Sequence, residues 1–145
     1  MKKLRLYYTN ATADRHKARE IQLKIEAETG LELVNPFYNC NGDPTEEIKQ
    51  LDSGVQPTVS WSEIVATDKK MIRECDGIVA FISSKSSFGS AMEIFYCHDT
   101  LGKPVYSICL DSNTRQHPWL LEFSNKMFGT IEGFVQFAKE KLVSQ

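Results

Sequence analysis

Two acidic residues, Glu93 and Asp68, have the surroundings expected of groups that do chemistry. Glu93 ends the serine-rich stretch "SSKSSFGSAME" (residues 83–93) and begins an apolar run. Asp68 lies four residues after Ile64 and four before Ile72, inside the apolar stripe of a predicted helix. Burying an unpaired carboxylate is costly, so an acid at such a position needs a hydrogen-bonding partner or a ligand. Carboxyl groups of this kind act as nucleophiles and as general acids.

Each acid also has a purely structural interpretation. Ser90 and Glu93 have the S-x-x-E spacing of a capping box, and the helix macrodipole favours glutamate in a first turn. Asp68 reaches water if its helix is rotated slightly about its axis. Spacing alone therefore leaves both interpretations open.

The elements that must position these acids alternate between strands and helices. Apolar runs at 3–9, 31–37, 76–82 and 104–110 predict strands, and a shorter strand is possible within 116–129. Helices are predicted at 11–30, 59–75, 90–102 and 130–145, with one turn in the polar segment 38–57. This order predicts a single α/β domain over residues 1–145. We expect three α/β/α layers around a flavodoxin- or Rossmann-like sheet of four or five mostly parallel strands.

The predicted fold places Glu93 at a binding crevice. In a right-handed βαβ unit, the loop after the strand at 76–82 opens at the carboxyl edge of the sheet, where ligands of open α/β folds bind. Glu93 is expected in the first turn of the following helix. The polar segment 38–57 is either a lid or binding loop over this edge or a tolerated surface loop.

Composition excludes several other classes of protein. The chain has 145 residues, 41% of them hydrophobic, and a formal net charge of −2 without a basic stripe, so binding to nucleic acid is not expected. No apolar run approaches the roughly 20 residues that span a bilayer. The four cysteines include no C-x-x-C pair and are expected as free thiols. We therefore expect a cytoplasmic protein that does not act at a membrane and holds no metal or other cofactor.

The motif residues resemble the nucleoside 2-deoxyribosyltransferase family and the related 2′-deoxynucleoside 5′-phosphate N-hydrolases. The resemblance rests on Asp68, Asp76, Gly89, Glu93 and the "GKPV" turn at 102–105, and on Tyr7 in the first strand. It covers most of residues 3–110 and is weak beyond them. It implies a retaining cleavage of the N-glycosidic bond in a small-molecule nucleoside or nucleotide.

The resemblance also implies a role for each of three side chains. Glu93 is the nucleophile that forms a covalent deoxyribosyl ester, and Tyr7 orients it. Asp68 protonates the departing base, because a nucleobase leaves poorly as an anion. The sugar then passes to another base.

Further residues are candidates for substrate contacts in the two loops that flank the crevice. Serines near a helix N-terminus suit an anion or a hydroxyl, although serine is also an ordinary turn residue. Residues of the "TNATADR" loop suit ribose or phosphate, although they equally suit a helix start. The candidates are Asn10, Asp14, Arg15, Ser87, Phe88 and Gly89.

Departures from the family pattern leave transfer and hydrolysis both open. The transferases carry aspartate where this chain has Ser87, whereas the N-hydrolases place a serine there for the 5′-phosphate. Transfer is preferred because four aromatic side chains are candidates to hold the leaving base in place. They are Tyr7, Tyr8, Phe88 and Trp61. We also expect a homo-oligomer, with Asn113 a weaker candidate for a site completed by a neighbouring subunit.

Two other functions remain alternatives from the sequence. A TIR-like NAD glycohydrolase uses the same kind of glutamate on a flavodoxin-like sheet. A non-catalytic nucleotide-binding module needs the loop but not both acids.

Overall fold

The computed structural model describes residues 3–85 and 87–143 as an α/β domain around one sheet. Five strands pair in parallel in the order β2-β1-β3-β4-β5. They are β1 (Arg5–Asn10), β2 (Glu32–Val34), β3 (Gly77–Ile82), β4 (Val105–Cys109) and β5 (Lys126–Phe128). The predicted fold class is confirmed, and the uncertain fifth strand is present.

Helices cover both faces of this sheet. They are α1 (Arg15–Thr29), α2 (Glu46–Asp52), α3 (Trp61–Glu74), α4 (Phe88–Phe95), α5 (Pro118–Glu122) and α6 (Ile131–Phe137). A π-helical turn extends α4 through Thr100, and another extends α6 through Leu142. Within the described residues, no helix is both long enough and apolar enough to cross a membrane.

The alternation of side chains along β1 separates two apolar clusters. Leu6 and Tyr8 pack with residues of α1 and α6 on one face of the sheet. Tyr7 packs on the other face with residues of α3 and α4, such as Ile72 and Ile94. Since β1 and β3 are central strands, both of their faces are covered, which explains their nearly continuous apolar sequences.

The strand order creates a crevice between the carboxyl ends of β1 and β3. From β1 the chain runs through α1 to β2 on one side, and it then crosses through α3 to β3 on the other side. The connections therefore diverge between β1 and β3, and open α/β sheets bind ligands at such a switch point.

The helix ends follow the predicted signals at several places. Ser60 caps α3 by accepting a hydrogen bond from the Glu63 amide. Gly30 ends α1 with φ of 76°, a left-handed conformation that glycine adopts without a Cβ penalty.

The polar segment 38–57 is packed against the domain. The Ile48 side chain of α2 is fully buried. The Arg19 guanidinium lies 4.1 Å from the centre of the Tyr38 ring, and Arg15 Nε donates to Asp52 Oδ1 over 2.9 Å. These contacts fix α2 against α1, at the edge of the crevice.

Candidate active site

A cleft of about 650 Å³ occupies the predicted crevice. Its floor is the carboxyl end of β1, and its walls come from α2, α3 and α4. Its volume lies in the range of small-molecule sites, roughly 300 to 1,000 Å³. Tyr7, Asp68 and Glu93, the three residues expected to be catalytic, all line it.

Two hydroxyl groups of β1 hold the Glu93 carboxylate. Tyr7 Oη donates to Glu93 Oε2 over 2.5 Å, and Thr9 Oγ1 donates to Oε1 over 2.7 Å. Tyr7 and Thr9 lie two residues apart on a strand, so their side chains point to the same face of the sheet. Each carboxylate oxygen therefore has one donor and keeps lone-pair capacity toward the cleft.

A chain of hydroxyls continues from Glu93 to the start of α4. Ser90 Oγ lies 2.9 Å from Thr9 Oγ1, and Ser87 Oγ donates to Ser90 Oγ over 3.0 Å. A hydroxyl has a single proton, so Thr9 can donate to Glu93 while it accepts from Ser90. Each hydroxyl then donates to the next group, in the order Ser87, Ser90, Thr9 and Glu93. Such a chain strengthens the hydrogen bond from Thr9 to Glu93.

The capping-box interpretation of Ser90 and Glu93, one of the two that their spacing left open, is wrong. The residue that caps α4 is Ser87, whose Oγ accepts from the Ser90 amide over 3.1 Å. The helix consequently begins at Phe88, and Glu93 lies in its second turn rather than its first. Ser90 is free to join the hydroxyl chain, and Glu93 is free to point at Tyr7 and Thr9.

The environment of Glu93 differs from the one expected of a helix N-terminal glutamate. Burial raises the pKa of Glu93 above its usual value, and the hydrogen bonds from Tyr7 and Thr9 counteract that rise in part. The macrodipole acts mainly within the first turn, which Glu93 does not occupy. The two hydroxyls, and not the helix end, favour the ionised form of this carboxyl.

Asp68 projects from α3 into the same cleft. Burial, and after it the negative charges of Glu93 and Glu47, raise the pKa of Asp68 to about 7. Around neutral pH a large share of Asp68 therefore keeps its proton. The two carboxyl groups are in unlike environments, because Glu93 has two hydroxyl donors and Asp68 has the charge of Glu93 nearby.

The apolar stripe of α3 is shorter than its sequence predicts. Ile72 is its buried residue, whereas Trp61 and Val65 are 63% and 58% exposed. Ile64, Val65 and Asp68 line the cleft, and Asp68 is partly buried at the cleft wall rather than enclosed in the core.

A third carboxyl group, Glu47 of α2, lines the cleft and was missed from the sequence. Burial raises its pKa, and its charge in turn raises that of Asp68. Its sequence context, a polar segment with one predicted helical turn, gave no signal that it would face the site.

Four of the six expected substrate-contact residues line the cleft. They are Asn10, Ser87, Phe88 and Gly89. A Cβ on Gly89 would meet no atom within 4 Å, so this glycine leaves open space at the start of α4. Phe88 is 82% exposed and stands at the mouth of the cleft.

Asp14 and Arg15 do not line the cleft. Asp14 is buried, where it accepts a hydrogen bond from Ser83 Oγ over 2.5 Å and lies 3.7 Å from Lys85 Nζ. Arg15 pairs with Asp52 and also donates to the Thr12 carbonyl. Both side chains hold neighbouring segments together, which is a function that their spacing in the sequence does not reveal.

The aromatic walls differ from those expected. Tyr7 and Tyr8 are 0% exposed, and Tyr8 Oη donates to the Ala18 carbonyl on the opposite face of the sheet. Trp61 does not line the cleft. Rings available to a base belong to Phe88, as expected, and to Phe37 and Tyr96, which the sequence did not predict.

The groups that line the cleft are suited to carboxylate chemistry. Across residues 3–85 and 87–143 no set of three histidine, cysteine, aspartate or glutamate side chains is arranged to hold a metal ion. The paired carboxyls suit nucleophilic attack by one and proton transfer by the other.

Comparison with solved structures places this geometry in context. A conserved protein from Enterococcus faecalis V583 matches with a TM-score of 0.67 and 15% identity, over 97% of this chain and all of that one. A 2-deoxyribosyltransferase from Bacillus psychrosaccharolyticus matches with a TM-score of 0.63 and 14% identity, over 90% of both chains. A CMP N-glycosidase from Clostridium botulinum matches with a TM-score of 0.60 and 18% identity, over 95% of this chain and 99% of that one.

These similarities lie in structure rather than in sequence. No protein-family model matches the chain, and no curated protein matches it by sequence. The resemblance noted from Asp68, Gly89 and Glu93 is confirmed at the level of the fold. The chain has the fold shared by a 2-deoxyribosyltransferase and a CMP N-glycosidase.

Proposed function

We propose that the protein cleaves the N-glycosidic bond of a 2′-deoxynucleoside, or of its 5′-monophosphate, and transfers the sugar to a second base. The observation that carries this proposal is the pairing of Glu93 and Asp68 in one cleft. Glu93 is held by two hydroxyl donors, and Asp68 has a pKa of about 7. Retaining cleavage of a glycosidic bond requires such a nucleophile and such an acid.

In the first step a Glu93 oxygen attacks C1′ of the sugar while the bond from C1′ to the base nitrogen breaks. The bonding electrons go to the base, and Asp68 gives its proton to a base nitrogen or oxygen. The products are a deoxyribosyl ester of Glu93 and a neutral free base. Tyr7 and Thr9 keep the carboxylate aimed at C1′ by fixing both of its oxygens.

In the second step a nitrogen of the incoming base attacks C1′ and the ester bond to Glu93 breaks. Asp68, now ionised, accepts the proton that the new base loses, so both carboxyl groups return to their starting states. Two displacements at C1′ restore the original configuration.

Recognition of the base is proposed for the segment after β2, for α2 and for α4 with its π-helical extension. Phe37, Phe88 and Tyr96 present rings that can stack on a nucleobase. Glu47 lies near Asp68 and can accept hydrogen bonds from amino or ring N–H groups of the base.

Hydrolysis is the second candidate, and one observation favours it. Tyr7 and Tyr8 are fully buried and Trp61 lies outside the cleft, so three of the four rings expected to retain a leaving base are unavailable to it. With fewer stacking surfaces, the departing base leaves more readily and water can resolve the ester. The same first step would then give free base and sugar, or sugar phosphate.

Product analysis separates these reactions. The enzyme is incubated with a deoxynucleoside or its 5′-monophosphate, with and without a second free base, and the products are separated by chromatography. A new nucleoside that forms only with the added base supports transfer. Free sugar or sugar phosphate at a rate independent of that base indicates hydrolysis.

Controls address the remaining classes of function. Release of nicotinamide from NAD, with no reaction of deoxynucleosides, would indicate the TIR-like alternative. Binding of nucleotides without any product would indicate a non-catalytic module and would contradict the proposal. Ribonucleosides and ribonucleotides, assayed in parallel, measure the preference for the 2′-deoxy sugar.

A further inference from the structure

Thr9 and Ser90 form a buried pair of hydroxyls beside Glu93. Both residues are only 3% exposed, and Thr9 Oγ1 lies 2.9 Å from Ser90 Oγ and 2.7 Å from Glu93 Oε1. A hydroxyl has one proton, so Thr9 cannot donate to Ser90 and to Glu93 at the same time. The direction in which Thr9 donates therefore decides whether Glu93 Oε1 has its donor.

The Ser90 hydroxyl competes with Glu93 for the Thr9 proton or releases it, depending on its own orientation. If Ser90 accepts from Thr9, Glu93 Oε1 is left without this hydrogen bond. If Ser90 donates to Thr9, the Thr9 proton is available to Glu93. Because Thr9 and Ser90 are buried, solvent has little access to replace a missing donor.

Two features favour donation toward Glu93. A hydrogen bond to an ionised acceptor is roughly twice as strong as one between neutral groups, so the Thr9 proton is better placed on the carboxylate than on Ser90. Ser87 Oγ accepts the Ser90 amide proton over 3.1 Å and lies 3.0 Å from Ser90 Oγ. Its own proton is thus free to donate to Ser90, and Ser90 in turn donates to Thr9.

We propose that Ser90 is a positioning residue, which turns the Thr9 proton toward Glu93 and so favours the ionised carboxylate. Ser90 acts through Thr9, and the reaction at C1′ is carried out by Glu93. The inference rests on the proposed function for its effect on turnover. Its effect on the ionisation of Glu93 is independent of any substrate.

The proposed reaction needs the ionised form of Glu93 at two points. The carboxylate is the nucleophile of the first step, and it is the leaving group when the ester bond to C1′ breaks in the second. A donor that is already directed at the carboxylate favours the negative charge at both points. Loss of the Ser90 hydroxyl should therefore move the acid limb of the pH–rate profile to higher pH.

Other ionisable groups near Glu93 come from each element that forms the cleft. They are Tyr7 of β1, Glu47 of α2, Asp68 and Lys69 of α3, and Tyr96 at the start of the π-helical turn. A substitution at Ser90 changes none of these side chains. A change that it causes in the ionisation of Glu93 is therefore carried by the hydroxyl groups.

The test follows the ionisation of Glu93 by carbon NMR of protein with labelled glutamate, in which Glu93→Gln identifies the Glu93 signal. Ser90→Ala should raise the pKa of Glu93, although by less than Thr9→Val, which removes the direct donor. It should lower kcat by about two- to fivefold on the acid limb, because an indirect contribution is smaller than a direct one. Alanine is a good helix former, so α4 is expected to stay intact.

A double-mutant cycle shows whether Ser90 acts through Thr9. In protein that carries Thr9→Val, the hydroxyl between Ser90 and Glu93 is absent. Adding Ser90→Ala to Thr9→Val should then change neither the pKa of Glu93 nor kcat any further.

Two control variants separate hydrogen bonding from packing. Ser90→Cys fills a similar space with a weak donor, and it should resemble Ser90→Ala. Ser107 of β4 is fully buried outside the cleft, and its Oγ lies 2.7 Å from Ser124 Oγ. Ser107→Ala also removes a buried hydroxyl pair, so it should lower the melting temperature while the pKa of Glu93 and kcat stay as in wild type.

Four results would each overturn the inference. They are an unchanged pKa of Glu93 in Ser90→Ala, the same change when Thr9→Val is already present, a wild-type pKa in Ser90→Cys, and an equal change in Ser107→Ala. Free base is assayed separately with the wild-type enzyme. Its absence with every deoxynucleoside and monophosphate would refute the proposed function, while the NMR titrations still decide the role of Ser90.

Discussion

Tyr7 of β1 donates a 2.5 Å hydrogen bond to Glu93 of α4, across 86 positions of sequence. The Tyr7 ring is fully buried on the α3–α4 face of the sheet, so its hydroxyl has a fixed position. Burial and the nearby charge of Glu93 raise the pKa of Tyr7 far above its usual value. Tyr7 therefore stays protonated and remains a donor to Glu93 throughout the pH range of an assay.

Tyr7→Phe should lower kcat by roughly ten- to hundredfold, the loss expected for one hydrogen bond to a charged group. Glu93 loses a donor to its ionised form, so its pKa rises and the acid limb of the rate profile moves to higher pH. The measurement is kcat across a pH series.

Tyr8→Phe is the matched control for this change. It removes a buried hydroxyl that donates to the Ala18 carbonyl on the other face of the sheet. It should cost about 1 kcal/mol of stability and leave the pH profile unchanged. Equal effects of both substitutions on activity would argue that Tyr7 has a structural role only.

Thr9→Val should reduce kcat by about tenfold, since it removes the donor to Glu93 Oε1 while valine keeps the branched shape that suits a strand. Thr9→Ser retains the hydroxyl and should retain most of the activity. Similar losses in the valine and serine variants would mean that packing at this position, and not the hydrogen bond, supports the reaction.

We expect the ionisation of Asp68 to produce the alkaline limb of the pH–rate profile. The proposed acid must be protonated, and its pKa of about 7 means that activity falls as the pH rises through that value. Asp68→Asn should remove this limb and depress turnover strongly on natural bases. Substrates whose leaving group needs no proton should be affected much less. An unchanged alkaline limb in Asp68→Asn would assign that pKa to another group.

The same substitution has an expected effect on stability. The folded-state pKa of Asp68 is about 7 against an ordinary value of 3.8, so the folded protein loses stability as the pH rises between these values. A neutral asparagine avoids that loss. Asp68→Asn should therefore raise the melting temperature relative to wild type more at pH 8 than at pH 5. A shift that is independent of pH would contradict the raised pKa.

Arg15→Gln tests whether Arg15 contacts the substrate, as its sequence position suggests, or only pairs with Asp52, as in the structure. The sequence makes Arg15 a candidate for ribose or phosphate contact, yet its guanidinium pairs with Asp52 outside the cleft. We expect kcat/KM to stay within about twofold of wild type, since exposed ion pairs contribute little. A large rise in KM for a 5′-monophosphate, with no change for the nucleoside, would restore the phosphate-binding role.

Light scattering over a concentration series tests the expected homo-oligomer, which stays a prediction. Several large apolar side chains are exposed on α4 and on the neighbouring α5, among them Phe88, Met92, Phe95 and Trp119. Exposed apolar groups that lie together often mark a surface used for association. A mass that stays monomeric at all concentrations would exclude it.

Local sequence was sufficient to predict that Asp68 and Glu93 face one crevice, whereas Tyr7 was expected beside Glu93 only from the family resemblance. Strand and helix periodicity assigned the elements, and the right-handed βαβ rule brought the ends of β1 and β3 to one edge. Thr9 could have been found by the same reasoning, because it follows Tyr7 by two residues and shares its face.

The errors arose where contacts distant in sequence decide the outcome. Ser87 and Ser90 can each serve as the N-cap residue of α4, and local spacing cannot choose between them. The choice depends on Ser90 meeting Thr9, 81 positions away. The burial of Tyr8 and the partners of Asp14 likewise depend on packing between separate segments.

The covalent ester on Glu93 is the central claim, and trapping it tests that claim most directly. The wild-type enzyme is incubated with a deoxynucleoside without an acceptor base, stopped with acid, digested and analysed by mass spectrometry, with Glu93→Gln alongside. The account predicts a deoxyribosyl adduct on the peptide that contains Glu93, and neither adduct nor turnover in the glutamine variant. Normal release of free base by Glu93→Gln would contradict it.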